Sequence, residues 1–444
     1  MIADVQKHLP APADTRDIIG RHLLADGFEM VLDMEKSQGV FLRDALTGRD
    51  YVDFFTFYAS NPLGMNHPKL RSDPGFIERL LDAAINKVSN SDVYTRHFAR
   101  FLDTFERVGI PDELPHAFFV SGGALAIENA LKTAFDWKVR MNFRKGYRAE
   151  RGHRVLHLDQ AFHGRSGYTM SLTNTDPNKV ALFPKFDWPR ILNPVMNGPA
   201  HAEDVEAREA LAVRQAKRAF HDHPDDIAAI IVEPVQGEGG DNHFRPEFLQ
   251  TLRTLADEND ALLIFDEVQT GVALTGTFWA WQGLGVTPDV MAFGKKTQVC
   301  GILAGPRVEE VDDHVFAKSS RINSTWGGNI VDMVRFDRIL EIIEEDGLVE
   351  NAATQGAYLQ ARLRDFAERY DSVTNPRGQG LMCAFDLTTP GIRDLVRHKA
   401  YEHGLVILGC GERTIRFRPA ISVSEDDLDH GLTLLDRALA DVVG

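Results

Sequence analysis

The chain has 444 residues, of which 43% are hydrophobic and 26% charged, as in an ordinary globular protein of two to three domains. Its formal net charge of −16 repels nucleic acid phosphates and anionic membranes, so we expect a small-molecule site and neither a nucleic acid nor a membrane partner. Cys300, Cys383 and Cys410 lack the spacing of a disulfide framework or a zinc site, and the first residues lack a secretory pattern. We therefore expect a cytoplasmic protein without a metal.

The first 65 residues are predicted to form an N-terminal arm and a segment of a small domain. Residues 1–20 are polar and contain two prolines, which is typical of an arm. The alternating pattern over 30–57 favours a small antiparallel meander. The loop after it contains Tyr58, which can line a pocket or pack half-buried, because its ring is apolar and its tip polar.

A strand, a Ser-Gly-Gly turn and a long amphipathic helix are predicted over 116–138. The backbone N–H groups of Gly123 and Ala124 then face outward at the start of a helix, where unpaired N–H groups and the helix dipole favour phosphate. The same turn is also compatible with a simple strand-to-helix connection.

The next strand runs into a loop with Phe162, His163 and Arg165. An aromatic ring beside an arginine can stack on a flat ligand and hold a carboxylate in a bidentate contact. A surface loop with a solvated arginine is the alternative.

Strands alternate with helices up to residue 293, which predicts a large, doubly wound, mostly parallel α/β domain over 66–330. Within it, two apolar runs end at Asp266 and just before Lys295, and the interval between them allows a right-handed crossover. Both side chains should then lie at the carboxyl edge of the sheet, where such sheets bind ligands. A change to alternating strands predicts a small C-terminal α+β domain over 331–444.

One interpretation of the strand ending at Asp266 is the acidic strand of a P-loop nucleotidase. That class also needs a G-x-x-x-x-G-K-[ST] loop. Here Gly294-Lys295 has Asp289 in place of the first glycine, and Lys296 follows instead of Ser or Thr. The sequence therefore lacks the required phosphate loop.

A pyridoxal phosphate site needs an amine for the covalent bond, a carboxylate for the pyridine nitrogen, an anion cradle and an aromatic ring on the cofactor's face. Lys295 supplies the amine, Asp266 the carboxylate and Phe162 the ring. Gly123 and Ala124 supply the cradle. We therefore predict pyridoxal 5′-phosphate as the cofactor.

Seven motifs in this order resemble the class III aminotransferases of fold type I: SGGALAIENALK, AFHGRSGYT, EPVQGEGG, FDEVQTG, FGKKTQVCG, STWGGN and IRFRP. The resemblance covers nearly the whole chain. It implies a homodimer with active sites at the interface, with Thr325 reaching the phosphate bound by the other subunit. It also implies that His163 and Gln269 contact the cofactor, Gln269 at the ring hydroxyl, and that Lys295, not Lys296, bonds to it.

The strings NKVSNSDVYT, RSGYTMSLTNT and FPKFDWPR resemble the branch of this family that moves the ε-amino group of L-lysine to 2-oxoglutarate. That branch forms L-2-aminoadipate 6-semialdehyde and L-glutamate. The resemblance implies that Arg165 holds the distal carboxylate in both half-reactions. It implies further that Arg416 binds the α-carboxylate of 2-oxoglutarate, and that Glu238 pairs with Arg416 when lysine is bound. Asn323 and Tyr58 complete the predicted substrate contacts.

Three alternatives remain open from the sequence. Ornithine enzymes of the family also carry a tyrosine at the position of Tyr58, whereas a lysine enzyme has a smaller residue, so ornithine and 4-aminobutyrate aminotransferases are rival assignments. A pyridoxal-dependent aminomutase would need no keto-acid acceptor. A non-catalytic phosphate-binding protein would lack the yellow colour of a bound cofactor.

Overall fold

The computed structural model describes residues 9–196 and 202–444. The first eight residues of the predicted arm over 1–20 therefore lie outside the described residues. The rest of that arm contains the helix Pro12–Gly20, in which no side chain is buried. The predicted domain boundaries stay predictions.

The strands of the described residues, in chain order, are β1 (Phe41–Arg43), β2 (Asp50–Asp53), β3 (His116–Val120), β4 (Arg154–Leu158), β5 (Arg190–Ile191), β6 (Ile227–Val232), β7 (Val235–Gln236), β8 (Asn242–His243), β9 (Leu262–Asp266), β10 (Val290–Phe293), β11 (Cys300–Ala304), β12 (Val373–Gln379), β13 (Met382–Leu387), β14 (Leu405–Val406), β15 (Leu408–Cys410) and β16 (Thr414–Phe417).

The helices, in the same order, are α1 (Pro12–Gly20), α2 (Pro68–Arg71), α3 (Pro74–Ile85), α4 (Arg96–Val108), α5 (Gly123–Arg144), α6 (Thr169–Leu172), α7 (Pro177–Val180), α8 (Ala202–Asp222), α9 (Pro246–Glu258), α10 (Ala280–Leu284), α11 (Ile330–Glu345), α12 (Leu348–Arg369), α13 (Pro390–His403) and α14 (Glu425–Val443). A left-handed helical turn spans Thr56–Ala59, and 3₁₀ turns span Lys295–Thr297 and Pro306–Glu310. None of these described helices is long and apolar enough to cross a membrane.

Seven strands form the large sheet, in the order β3-β11-β10-β9-β6-β4-β5. Its pairs are parallel except those that β11 makes with β10 and β3. The predicted doubly wound, mostly parallel sheet is therefore confirmed. Alternate residues of β9 enter two different hydrophobic cores, with Leu263 and Phe265 in one and Leu262 and Ile264 in the other. Both faces of the sheet are thus covered, which explains the uninterrupted apolar runs of its central strands.

Three smaller sheets lie outside the large one in the described residues, and one of them is the antiparallel pair of β7 and β8. The other two are larger. β1 and β2 form an antiparallel pair, as the pattern over 30–57 predicts, but the third strand of their sheet is β14, far along the chain. The second sheet has the order β12-β13-β16-β15 and is antiparallel throughout. β16 contains Arg416, and Arg418 directly follows its last residue. Arg416 contacts Glu238, and Arg418 contacts Gln269.

Candidate active site

Asp266 and Lys295 lie at the same edge of the large sheet. Asp266 is the last residue of β9, and Lys295 follows β10 after Gly294. The two strands are parallel neighbours, with Ala292 opposite Asp266, so the pairing predicted from the sequence is confirmed. Parallel pairing places both side chains at the carboxyl ends of their strands, which is where open α/β sheets bind ligands.

The two adjacent lysines have different surroundings. Lys296 is buried, and its Nζ donates to the carbonyl oxygens of Gln269 at 2.6 Å and Ala59 at 3.5 Å. Lys295 is half-buried, and its Nζ has no hydrogen-bond partner among the described residues. Burial, together with the positive charges of Arg416 and Arg418, lowers the pKa of Lys295 to about 8. Lys295 is therefore the lysine whose amine is free to react.

Asp266 is oriented by His163. The imidazole Nδ1 donates to Oδ2 of Asp266 at 2.8 Å, and the backbone N–H of Val268 donates to Oδ1 at 3.1 Å. His163 Nε2 is buried and has no partner in the described structure. This carboxylate is only 6% exposed, and its two local donors fix its orientation at the strand end.

Glu233 ties the loop of Phe162 to the glycine loop after β6. Its Oε1 accepts from the backbone N–H of Phe162 at 2.9 Å, and its Oε2 accepts from that of Gly237 at 3.2 Å. Burial raises the pKa of Glu233 to about 7, and the negative charge of Asp266 acts in the same direction. The carboxyl group thus positions the backbone that carries the predicted stacking ring.

The start of α5 contains Gly123 and Ala124, the two residues of the predicted anion cradle. Gly122 precedes the helix and has no side chain to cap it, and the backbone N–H groups of Gly123 and Ala124 have no partner among the described residues. Gly164 packs directly against this helix start, since a Cβ there would lie 2.6 Å from Cβ of Ala124. With φ of +112°, position 164 also favours glycine on conformational grounds. The uncapped helix start fits a phosphate group.

Glu238 lies between two cations. Nη2 of Arg416 donates to its Oε2 at 2.8 Å, and Nζ of Lys179 donates to its Oε1. Burial alone would raise the pKa of Glu238, but Arg416 and Lys179 together hold it below its usual value. The side chain of Arg416 is only 3% exposed, so the carboxylate neutralises a guanidinium that is otherwise shielded from water.

Arg165 and Tyr58 are the exposed members of the predicted substrate contacts on the loops after β4 and β2. Arg165 is exposed, and no ion-pair partner for it occurs among the described residues. Tyr58 is 52% exposed, and its ring centre is 5.8 Å from the guanidinium of Arg416. The guanidinium of Arg165 is therefore exposed and unpaired, whereas that of Arg416 lies under the ring of Tyr58.

Tyr58 is held by a strained turn. All four residues of the segment Thr56–Ala59 have positive φ, between 40° and 63°, a conformation that non-glycine residues rarely adopt in sequence. Asp53 Oδ1 accepts from the backbone N–H groups of Phe55 and Thr56, and Thr56 Oγ1 donates to the carbonyl of Arg418 at 2.7 Å. These contacts stabilise the turn and fix where Tyr58 leaves it.

Gln269 is positioned by Arg418. The guanidinium donates to Gln269 Oε1 from Nε at 3.1 Å and from Nη2 at 2.9 Å, and it forms a buried ion pair with Asp241. By contrast, Asn323 and Thr325 are exposed on the loop before α11. Within the single chain the structure shows no contact between either residue and the set just described.

Sequence reasoning missed four residues of this region. The EPVQGEGG and IRFRP motifs contain Glu233 and Arg418, so the signal for both was present but unused. Asp241 directly follows the glycine loop and has no distinguishing pattern. Lys179 had no signal, because a lysine in a short polar helix is ordinarily solvated.

Comparison with known proteins matches residues 25–439 to the family model described as aminotransferase class III. The chain is 55% identical over 429 residues to L-lysine-epsilon aminotransferase of Mycobacterium tuberculosis, covering 96% of each chain. It is 52% identical over 439 residues to the enzyme of that name from Amycolatopsis lactamdurans, covering 97% of each. A solved structure of lysine aminotransferase from M. tuberculosis in the internal aldimine form has a TM-score of 0.97 at 54% identity, with 98% of this chain and 100% of that chain covered. The chain therefore belongs to the class III aminotransferases, enzymes that transfer amino groups with pyridoxal 5′-phosphate as cofactor.

Proposed function

We propose that this enzyme transfers the ε-amino group of L-lysine to 2-oxoglutarate and forms L-2-aminoadipate 6-semialdehyde and L-glutamate. The observation that carries the proposal is the difference between two arginines. Arg165 is unpaired, whereas Arg416 is neutralised by Glu238 at 2.8 Å. The relatives with 52% to 55% identity are named for lysine, which supports the same donor.

Lysine and 2-oxoglutarate make opposite demands on this pocket. Lysine reacts at its terminal amine and carries one carboxylate, at the far end, which Arg165 binds. A second free guanidinium beside the reacting carbon would face the apolar chain of lysine and would be unpaired there, which is unfavourable in a buried site. 2-Oxoglutarate has a carboxylate at that position, and it binds Arg416 after Glu238 has moved away. The Glu238–Arg416 pair is thus the arrangement that suits lysine.

The residues present fit pyridoxal phosphate. Gly123 and Ala124 offer unpaired N–H groups to the phosphate, and Phe162, whose backbone is held by Glu233, is the residue that we assign to the ring face. Asp266, held by His163, is the carboxylate for the pyridine nitrogen, and Gln269 is the residue for the ring hydroxyl. When bound, the cofactor supplies an electron sink that stabilises negative charge on the substrate carbon next to the amine.

Lys295 performs the proton transfers on the substrate. Its neutral amine, favoured by a pKa of about 8, removes a proton from Cε of lysine in the first half-reaction. In the second half-reaction it returns a proton to the α-carbon that becomes the α-carbon of glutamate. Because one pocket serves both substrates in turn, the kinetics are ping-pong.

The active unit is a homodimer in this proposal. Thr325 and Trp326 are exposed on the loop before α11, and Thr325 is free to reach a phosphate bound by a partner subunit, with Asn323 beside it on the substrate side. The three cysteines are free and buried, which suits a reducing compartment such as the cytoplasm.

A side-by-side assay of lysine, ornithine and 4-aminobutyrate with 2-oxoglutarate tests the proposal. We expect lysine to give the highest kcat/KM, and a higher value for ornithine or 4-aminobutyrate would contradict the choice of donor. Omitting 2-oxoglutarate separates transfer from an aminomutase reaction, because only the mutase would turn over without a keto acid.

A further inference from the structure

We propose that Lys179 is a positioning residue that receives Glu238 when Arg416 binds the dicarboxylate substrate. This inference rests on the proposed function, in which Glu238 must leave Arg416 for 2-oxoglutarate to bind. In this proposal, Lys179 joins the Glu238–Arg416 pair and is the partner of the Glu238 carboxylate after it leaves Arg416.

The contacts of Glu238 already divide between the two cations. Oε2 accepts from Arg416, which is 3% exposed, and Oε1 accepts from Lys179, whose side chain is 26% exposed. The two oxygens thus face opposite environments, one towards the buried guanidinium and one towards the outside of the site.

There is space on the Lys179 side of the carboxylate. Glu238 and Lys179 both line a cavity of about 390 Å³ whose wall also includes two arginines, Arg393 and Arg397. Arg416 is not part of this wall. A rotation of the Glu238 side chain away from Arg416 therefore moves it into open volume next to Lys179, without displacing packed core residues.

Lys179 is itself held in place. It lies in α7, whose first turn is capped by Asp176, which accepts from the backbone N–H of Asn178 at 2.9 Å. Its Nζ is 5.5 Å from the centre of the Phe162 ring, a cation–π distance. The ammonium group is thus positioned before Glu238 moves.

Electrostatics then favour binding of the dicarboxylate. The two arginines of the cavity wall already pair with Asp394. Without Lys179, separating Glu238 from Arg416 would therefore leave a partly buried carboxylate without the one other cation that it contacts in this structure, which is costly. With Lys179, the carboxylate keeps one ion pair in both states. Removing Lys179 should therefore weaken dicarboxylate binding and leave lysine binding, for which Glu238 stays on Arg416, nearly unchanged.

The test compares K179M, K179R and K185M in the holoenzyme, with glutarate as an unreactive dicarboxylate probe in calorimetry. Lys185 is the matched control, because it lies in the same segment and K185M removes the same charge from a lysine bonded to loop carbonyls. We expect K179M to weaken glutarate binding roughly five- to tenfold and to raise the KM for 2-oxoglutarate by a similar factor. The KM for lysine should change less than about twofold, and K179R and K185M should bind glutarate within about twofold of the wild type.

A double-mutant cycle with E238Q isolates the pair. If Lys179 acts through the Glu238 carboxylate, K179M should change glutarate affinity less than about twofold in the E238Q background. An unchanged affinity in K179M, an equal loss in K185M, an equal loss for lysine, or a full effect in the E238Q background would each overturn the role of Lys179. Normal glutarate binding with ornithine as the better donor would overturn the choice of lysine alone, whereas a wild type that binds no dicarboxylate would overturn both proposals.

Discussion

The cofactor end and the substrate end of this site are built in different ways. At the cofactor end, Asp266 and Lys295 come from neighbouring parallel strands, and Asp266 and His163 are buried and bonded to each other. At the substrate end, Glu238 comes from a glycine loop and Arg416 from an inner strand of a separate antiparallel sheet. The rigid end suits a cofactor that is the same in both half-reactions, and the loop-built end suits a pocket that must accept two different substrates.

The largest effect should come from the cofactor end, in the paired variants K295M and K296M. K295M removes the unpaired amine, so we expect loss of the cofactor's yellow colour and a fall in kcat of about 10⁴-fold. K296M instead leaves the carbonyls of Gln269 and Ala59 without their buried donor, so it should keep the colour and lose about 1–3 kcal/mol of stability. Absorbance spectra, activity and thermal unfolding distinguish the two variants, and colour retained in K295M would refute the assignment.

D266N tests the buried carboxylate at the same end. The amide cannot carry the negative charge that keeps a pyridine nitrogen protonated, so we expect kcat to fall by about 10²- to 10³-fold. E267Q is the matched control, because the adjacent Glu267 turns into the core, where its Oε1 accepts from the backbone N–H of Trp281 at 2.9 Å. Burial raises the pKa of Glu267 to about 7, so a glutamine at this position resembles the neutral, protonated form of the glutamate. Equal losses in both variants would mean that Asp266 acts through folding alone.

E238Q tests the substrate end. A neutral amide leaves the charge of Arg416 uncompensated when lysine is bound, so we expect kcat/KM for lysine to fall roughly 10- to 100-fold. For 2-oxoglutarate the same change removes a competitor for Arg416, so its KM should stay equal or fall. Half-reaction rates measured separately with each substrate give the comparison, and parallel losses for both substrates would exclude a selective role for Glu238.

The pH dependence of cofactor attachment sharpens the description of Lys295. Burial and the two arginines lower its pKa to about 8, below the usual value for lysine, so the reactive neutral amine predominates only above pH 8. The rate at which apoenzyme regains its colour from added pyridoxal phosphate should rise about tenfold per pH unit below 8 and level off above it. A rate that continued to rise up to pH 10 would mean that the pKa of the Lys295 amine is not lowered.

The cofactor end of the site could be predicted from the sequence more fully than the substrate end. The strand ends at Asp266 and Lys295 can be predicted because each follows an apolar run. The interval between the two runs is long enough for a crossover, so the two strands can be parallel. The FDE motif alone does not show which of its two carboxylates belongs to the site. Neighbouring side chains of a strand point to opposite faces, but which face is the site side is known only when the position of the strand in the sheet is known.

The substrate end was harder to predict from the sequence, because its contacts join segments that are far apart in the chain. Glu238 and Arg416 were named through family resemblance, and no local pattern links positions 178 residues apart. Lys179 was missed for the same reason. The pairing of β14 with β2 was likewise missed, because a two-residue strand has too short a pattern to indicate its partner.

The smallest effect concerns Tyr58, where the two ends of the site meet. Its strained turn is anchored to the carbonyl of Arg418, and its ring lies 5.8 Å from the guanidinium of Arg416, so we expect it to take up length in the substrate pocket. Y58V should make room for a longer chain and shift the ratio of kcat/KM for lysine over ornithine upward by about three- to tenfold. Y58F is the control, because it keeps the ring and removes only the hydroxyl. If Y58F shifted the ratio as much as Y58V, the hydroxyl and not the volume of the ring would set the preference, since only a polar contact to the substrate is lost in that variant.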